Sequence, residues 1–255
     1  MDIVFVGAGR LATNLARALK DAGHHIVAVY SRTMTSAVAL CDVVGGVPTD
    51  TIDALPLEAD VFILSVTDAA LPAVINQLRK GREHQTFLHT AGSIPITVFG
   101  DHPHCGVLYP MQTFSKEKVV DFSRVHIFIE GSDEPTLCLA LDLAQSVSPH
   151  VHKFSSDERR YLHLAAVFAC NFANHCYALS AKILEEHGLP FEVMLPLIEE
   201  TAEKVETMQP RDAQTGPAVR RDANVMEAQK ALLSHEPLMQ QIYELMSKSI
   251  QNTSK

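Results

Sequence analysis

The sequence predicts an α/β fold with a mainly parallel sheet, followed by an all-α domain. Two patterns predict this division of the 255-residue chain. Up to about residue 153, short apolar runs of strand type alternate with helical stretches, as expected of a parallel sheet with crossover helices. Beyond that point the period-2 runs stop and helical periodicity dominates. We therefore expect an α/β domain over 1–153 and a helical domain over 154–255, both of ordinary domain size.

The first strand and helix surround a glycine-rich turn. Residues 2–6 form a short apolar run, and an amphipathic helix follows to about Lys20. Between them stands Gly7-Ala8-Gly9-Arg10-Leu11-Ala12, a G-x-G-x-x-A motif in the strand-turn-helix context of a dinucleotide-binding site. Gly7 permits the tight turn, Gly9 lets a pyrophosphate approach the backbone, and Ala12 keeps the helix close to the strand. The sequence therefore predicts a Rossmann-type domain; the alternative is a turn without a ligand.

The second strand, HHIVAVYSRT, ends in Ser31-Arg32-Thr33. An NAD site usually has an acid about 20 residues past the glycines, where it accepts a hydrogen bond from the ribose 2′-hydroxyl. Here two hydroxyls and a guanidinium take that place, and arginine binds phosphate in a bidentate manner. We therefore predict NADP rather than NAD as the cofactor. The alternative is a solvated arginine in a turn.

The later strands are predicted to end in polar loops. The strand candidates are 59–66, 86–90, 106–110 and 125–131, with helical stretches at 69–80 and 134–146. Ligands bind at the carboxyl ends of strands in such sheets. We expect Val66, Thr67 and Thr90 beside the cofactor, and Ser93 and Gln112 beside the substrate. Each of these residues is equally suited to a turn or a helix cap.

A long helix is predicted to open the C-terminal domain. Ser155 and Glu158 form a capping box, and the helix continues to His187, with Gly188 as its stop. About 32 residues would span nearly 50 Å, which a domain of about 100 residues cannot cover alone. We therefore expect a homodimer through the helical domain. Three more helical segments are predicted, near 191–208, 222–233 and 237–250.

Polar side chains lie within this long helix, in the stretch YLHLAAVFACNFANHC at 161–176. On a wheel of about 100° per residue, Asn174 falls near His163, and Asn171 lies about 80° away. This polar arc suits solvent, a partner helix or a cleft. Our hypothesis is that His163 donates a proton and Asn171 positions the substrate. The structural alternative is that both form hydrogen bonds across a helix bundle or dimer contact.

Composition and charge exclude several functions. The net charge of −9 argues against a nucleic-acid partner. The five cysteines form no Cys-x-x-Cys pair, so neither a disulfide framework nor a thiolate zinc site is expected. Histidines occur at 101–105 and 150–152 without companions at a recognised metal-ligand spacing, so we predict no metal site. No leader or membrane-spanning run is recognisable, and we expect a cytoplasmic protein.

Six stretches give the chain a resemblance to a known group of proteins. They are, in order, GAGRLAT, SRT, HTAGS, YPMQTFS, HLAAVFACN and TGPAVRRD. The chain resembles, over nearly its whole length, bacterial proteins that join an NADP-binding Rossmann domain to a helical C-terminal domain of unassigned function. Its N-terminal part is similar to ketopantoate reductase, pyrroline-carboxylate reductase and the deazaflavin-linked NADP reductases. The resemblance places Arg220 at the family's arginine, which makes it a candidate ligand for a substrate acid group; the alternative is a solvated basic loop.

The chain departs from the family pattern at three positions, and from a related group of enzymes at a fourth. Ala91 replaces a common serine, Tyr109 a common histidine, and Arg221 a common glycine. Related hydroxyacid dehydrogenases have a catalytic lysine four residues before an asparagine of the long helix, and here that position is Val167. The usual proton donor is therefore missing from this helix.

These patterns together predict an NADPH-dependent reductase of a small oxo- or imino-acid, with hydride transfer in a cleft between the domains. The expected partners are a small-molecule substrate and a second copy of the chain, without nucleic acid or membrane. Two alternatives stay open, a non-catalytic protein that senses NADP(H) and a dimeric scaffold. The missing lysine favours the sensing protein.

Overall fold

The computed structural model describes residues 1–115 and 118–253. They divide into two compact units, Met1–Cys170 and the chain from Asn171 onward. The first unit holds the eight strands of the described residues. These are β1 (Asp2–Val6), β2 (His25–Tyr30), β3 (Val47–Thr49), β4 (Val61–Leu64), β5 (Phe87–His89), β6 (Cys105–Met111), β7 (His126–Gly131) and β8 (Val151–Lys153).

The strands form one sheet in the order β3-β2-β1-β4-β5-β6-β7-β8. All neighbours pair in parallel except β6 and β7, which are antiparallel. The prediction of a Rossmann-type, mainly parallel sheet is thus confirmed. β3 and β8 were not predicted, because each has only three residues and shows too little periodicity to be recognised.

Helices cover both faces of the sheet, so its central strands are buried on both sides. Ile3 and Phe5 of β1 belong to one apolar cluster, and the alternating Val4 and Val6 belong to another. The helices of the first unit are α1 (Arg10–Asp21), α2 (Met34–Val44), α3 (Leu71–Leu78), α4 (Glu134–Val147) and α5 (Ser156–Ala166).

The long C-terminal helix has a change of helix type within it. The predicted capping box is present, since the Ser155 side chain accepts from the Glu158 amide and the Glu158 carboxylate accepts from the Ser155 amide. After α5 the segment Val167–Phe172 is a π-helix, and α6 follows as Ala173–Glu186. The helix ends one residue before the predicted His187, and Gly188 follows with a positive φ of 67°.

The second unit contains further helices but almost no buried core. The helices after α6 are α7 (Leu195–Thr207), α8 (Pro210–Ala213), α9 (Pro217–Arg220), α10 (Ala223–Leu232) and α11 (Pro237–Thr253). The short α8 and α9 were not predicted. Pro196 lies in the first turn of α7, where proline is tolerated, so it sets the start of the helix rather than a kink.

Ion pairs connect helices of the second unit. Lys182 of α6 pairs with Glu236, just before α11, and Lys230 of α10 pairs with Glu244 of α11. Exposed ion pairs of this kind contribute little to stability, because solvent screens their charges. They therefore do not replace an apolar core. In the part of the chain that the structure describes, no helix is both long and apolar enough to cross a membrane.

Candidate functional site

A cavity of about 310 Å³ lies where the strand order of the sheet reverses. β1 pairs with β2 on one side and with β4 on the other, and such a switch point is where open α/β sheets bind ligands. Three chain segments form most of its wall. The lining residues are Gly7, Ala8, Gly9, Tyr30, Ser31, Arg32, Thr33, Ser36, Ser65, Val66, Thr67, Ala70 and Val74.

The two glycines of the motif differ in what surrounds them. A Cβ atom at Gly7 would lie 2.1 Å from the carbonyl oxygen of Ser65, and Gly7 has a φ of +122°. The fold itself therefore requires glycine at this position. A Cβ atom at Gly9 would meet no atom within 4 Å. Protein packing thus does not explain Gly9, whereas a ligand lying close to the backbone would.

The N-terminus of α1 is open to an anion beside this glycine. Gly9 is the N-cap residue, and it offers no side-chain hydrogen bond to the first turn. The first intrahelical bond runs from Thr13 to the Gly9 carbonyl, so the preceding amides at residues 10–12 have no acceptor within the helix. No acidic side chain occupies the first turn. These features fit the pyrophosphate of a dinucleotide.

Hydroxyls and a guanidinium lie at the other end of the cavity. Arg32 is exposed, and Thr33 is the N-cap residue of α2. The Thr33 hydroxyl donates to Ser36 Oγ at 2.9 Å, which brings a further hydroxyl into the group. The described residues that line this cavity include no carboxylate. These hydrogen-bond donors fit a ribose 2′-phosphate, whereas a carboxylate in their place would repel it.

A second cavity, of about 400 Å³, shares part of its wall with the first. Gly9, Ser65, Val66 and Thr67 line both cavities. The other lining residues are Arg10, Leu11, Asp68, Thr90, Ala91, Gly92, Ser93, Tyr109, Pro110, Gln112 and His163. A dinucleotide bound at the first cavity would therefore extend towards the second.

Tyr109 and His163 form a hydrogen-bonded pair in this second cavity. Tyr109 Oη lies 2.9 Å from His163 Nδ1, and the two rings meet edge to face. Tyr109 projects from β6 and is 7% exposed. Burial raises the pKa of Tyr109, and the positive charge of Arg159 opposes that rise to a smaller extent. The phenol therefore stays protonated at neutral pH.

Gly92 makes the room for this pair. A Cβ atom at Gly92 would lie 2.5 Å from His163 Nδ1 and 2.9 Å from Tyr109 Cζ. Any larger residue at this position would push the two rings out of place. Next to it, the Ser93 hydroxyl donates to Asp68 Oδ2 at 2.7 Å. This bond joins the loop after β5 to the loop after β4.

A buried arginine fixes the helix that carries His163. Arg159 is 1% exposed; it donates to the Glu130 carboxylate and to the Ile94 carbonyl, both at 2.6 Å. Ser156 also donates to Glu130, at 2.7 Å. Arg159 precedes His163 by one helical turn and lies on the same face of α5. It therefore anchors the face of the helix from which His163 projects.

Comparison with solved structures identifies the relatives of this chain. A candidate NADP oxidoreductase from Bacteroides fragilis is 47% identical, the match covers 98% of both chains, and the TM-score is 0.94. The chain belongs to this family of NADP oxidoreductases. The model of a coenzyme F420-dependent NADP oxidoreductase family matches residues 2–91, and that of a domain of unknown function, DUF2520, matches residues 125–250. The predicted resemblance to such a two-part family is confirmed.

More distant structures share the fold of this chain. A protein from Thermotoga maritima is 24% identical, with 98% of this chain and 99% of that chain covered and a TM-score of 0.80. An imine reductase from Myxococcus stipitatus in complex with NADP⁺ is 14% identical, with coverage of 99% and 93% and a TM-score of 0.71. No curated protein matches the sequence.

The structure brings together most of the residues predicted for the cofactor and substrate sites. Residues 7–9, 31–33, 66 and 67 line the first cavity, and residues 9–11, 66, 67 and 90 line the second. Ala12 lines neither cavity. It is fully buried in the face of α1 that packs on the sheet, as its predicted role requires. Of the substrate and catalytic candidates, Ser93, Gln112 and His163 share the second cavity.

Asn171 and Arg220 lie in the second unit, and both are exposed. Their predicted roles in substrate binding stay predictions. The helical wheel used to place Asn171 is wrong beyond Val167, because a π-helix has i→i+5 bonds and more residues in each turn. A local sequence pattern does not reveal this π-helical segment.

Sequence reasoning gave no individual role to six residues that also line the second cavity, Ser65, Asp68, Ala91, Gly92, Tyr109 and Pro110. One sequence feature pointed to Tyr109, which replaces a histidine that is common in the family. No sequence feature showed why Gly92 is needed, because the atoms that a side chain there would meet are distant in sequence. Among residues 1–115 and 118–253, no three His, Cys, Asp or Glu side chains are arranged to hold a metal ion.

Proposed function

We propose that this NADP oxidoreductase uses NADPH to reduce a small oxo- or imino-acid, and that Tyr109 and His163 supply the proton. The observation that carries the proposal is the 2.9 Å hydrogen bond between the two side chains. It lies in a cavity whose wall is shared with the predicted dinucleotide site. This arrangement supports the proposal, because it leaves room for the substrate's reacting atom beside a group that can donate a proton.

The two side chains suit proton delivery. NADPH, when bound, supplies a hydride to the substrate carbon. With its proton on Nδ1, His163 donates to the Tyr109 oxygen and leaves the phenol O–H free to donate to the substrate oxygen or nitrogen. The Nδ1–H hydrogen bond stabilises the phenolate that forms, and this phenolate takes a replacement proton from solvent after the product leaves. The pair would thus perform the role of the lysine that Val167 replaces.

Two substitutions test this assignment. Tyr109→Phe and His163→Ala should each lower turnover by roughly 100-fold, the usual contribution of a general acid, while the dissociation constant of NADPH changes little. His175→Ala is a matched control, since His175 is an exposed histidine of α6. Turnover is measured as NADPH consumption with a panel of 2-oxoacids and cyclic imines.

Stability measurements separate a catalytic from a structural pair. If His163→Ala leaves NADPH binding intact but lowers the free energy of unfolding by more than about 3 kcal/mol, the upper cost of an unsatisfied buried group, the catalytic assignment is abandoned. Wild-type turnover by Tyr109→Phe would exclude the phenol as the donor.

Val167, which replaces the usual lysine, also favours a second candidate function. A protein that senses NADP(H) would bind the cofactor without turnover. It would keep the NADPH affinity, consume no NADPH with any compound of the panel, and show no dependence of cofactor oxidation on Tyr109. The same assays distinguish this candidate from a reductase.

We further propose that the second unit is completed by a second copy of the chain. Within residues 171–253, only Ala218, Met239 and Ser247 are buried. Many large apolar side chains are exposed instead, among them Leu189, Val193, Leu195, Leu197, Val205, Leu232, Leu238, Leu245 and Met246. A unit of this size needs an apolar core to offset the conformational entropy of folding. Every copy of the chain exposes the same apolar side chains, so a second copy in a two-fold dimer would cover them on both copies at once.

A further inference from the structure

Asp68 gives the second cavity a negative charge. It follows β4 and begins a short 3₁₀-helix, Asp68–Ala70. The side chain is exposed, and Oδ2 accepts the Ser93 hydroxyl at 2.7 Å. This bond orients the carboxylate in the same cavity as Tyr109 and His163. A fixed carboxylate beside a proton-donating pair acts on the charge of whatever binds there.

Among the described lining residues, no positive side chain lies beside Asp68 on the substrate side of this cavity. The side chains with a formal charge, of the described residues that line this cavity, are those of Arg10 and Asp68. Arg10 begins α1 beside the dinucleotide motif, so it belongs to the cofactor side of the wall. Those of the described lining residues that come from β4, β5, β6 and the loops after them include no lysine or arginine.

An oxo group and an imine differ in how they respond to this charge. The oxygen of a ketone becomes an anion as hydride arrives, and a nearby carboxylate opposes that charge. An imine nitrogen instead becomes a cation when it takes a proton, and the carboxylate stabilises it. The observed side chains therefore discriminate between the two substrate classes that the proposed function leaves open.

We propose that Asp68 selects a cationic reacting group, so that the substrate is an imine that is reduced as its iminium ion to an amine. This inference rests on the proposed function. The imine nitrogen takes one proton from the Tyr109–His163 pair, and the carbon takes a hydride from NADPH. The C=N π bond breaks, one C–H and one N–H bond form, and NADPH is oxidised to NADP⁺. Asp68 is the counterion of the iminium ion, and of the ammonium ion that forms when the product amine takes a second proton from solvent.

A binding experiment tests this inference without requiring turnover. Calorimetry on the full chain saturated with NADP⁺ compares pyrrolidine, a cation at neutral pH, with tetrahydrofuran, a neutral ring of the same size. The cation should bind more tightly. Asp68→Asn should weaken pyrrolidine roughly five- to tenfold, as expected of one charge interaction near the protein surface, and leave tetrahydrofuran unchanged.

Asp53→Asn is the matched control. Asp53 is also an exposed acid in the first turn of a 3₁₀-helix, Ile52–Ala54, but it lines neither cavity. It should leave the pyrrolidine affinity unchanged. An equal effect of both substitutions would mean that net charge, rather than the site, attracts the amine, and would overturn the proposal.

Two further results would also overturn it. One is equal affinity for pyrrolidine and tetrahydrofuran in the unmodified protein. The other is an Asp68→Asn protein whose NADP⁺ affinity falls while its preference for the amine remains, which would assign Asp68 to the cofactor. Failure of the proposed function looks different, because no 2-oxoacid or cyclic imine would then oxidise NADPH. Turnover of 2-oxoacids that is unchanged in Asp68→Asn would retain the reductase and reject the imine.

Discussion

Substituting Gly9 with alanine separates a residue required by a ligand from a residue required by the fold. An alanine Cβ at this position would meet no protein atom within 4 Å. Its backbone, with φ −78° and ψ −175°, is in the extended region that any residue adopts. The folded protein should therefore accept the methyl group. A dinucleotide whose pyrophosphate contacts the amides of α1 should not.

The structure sets the size of the expected effects. Gly9→Ala should change the free energy of unfolding by no more than about 0.5 kcal/mol, as for other surface substitutions. Displacing the pyrophosphate from one charge-assisted hydrogen bond costs about 1.5–3 kcal/mol, so the NADPH dissociation constant should rise roughly tenfold to 150-fold. Calorimetric titration with NADPH and urea denaturation measure the two quantities.

Gly7→Ala is the comparison. Its Cβ would lie 2.1 Å from the Ser65 carbonyl oxygen, and its φ of +122° is strained for alanine. We expect a loss of about 2–4 kcal/mol in the free energy of unfolding, from overpacking and backbone strain. Unchanged NADPH affinity in a stable Gly9→Ala protein would refute the assignment of this turn to the cofactor.

Three other predictions follow from the structure. Arg32→Ala should remove most of the preference for NADPH over NADH, because one phosphate contact is worth about 1.5–3 kcal/mol; equal affinities in the unmodified protein would contradict this. Burial, with a smaller contribution from Arg159, lowers the pKa of His89 to about 3. Unfolded histidine takes up a proton near pH 6.5, so stability is lost as pH falls below that value, by about 2 kcal/mol between pH 7 and 5. In urea denaturation, His89→Asn should make the free energy of unfolding less dependent on pH. An unchanged dependence on pH would contradict the low pKa of His89. Light scattering at micromolar concentration should show a dimer, and a 28.0 kDa monomer would refute the second-copy proposal.

The sequence was most informative where a function depends on neighbouring residues. Three local patterns predicted correctly where a helix begins. They are the turn at residues 7–12, the Ser31-Arg32-Thr33 group and the Ser155 capping box. The Tyr109–His163 pair could not be predicted in this way. Its members are 54 residues apart, on β6 and α5, and their contact depends on a glycine in the loop after β5.

Helix type was also beyond the reach of the sequence pattern. Val167–Phe172 has the composition of an ordinary apolar helix, and its π geometry follows from packing rather than from residue propensity. β3 and β8 are held by backbone pairing to longer strands. Their own three residues carry too little periodicity to predict them.

Transfer of a labelled hydride tests the central claim most directly. The protein is incubated with NADPH that carries deuterium on both positions of C4 and with the cyclic imine that gives the highest turnover, and the product amine is analysed by mass spectrometry. The account predicts one deuterium at the former imine carbon in the unmodified protein and a much slower appearance of the same product with Tyr109→Phe. Tight NADPH binding with no labelled product from any imine or 2-oxoacid would contradict it and leave the sensing function.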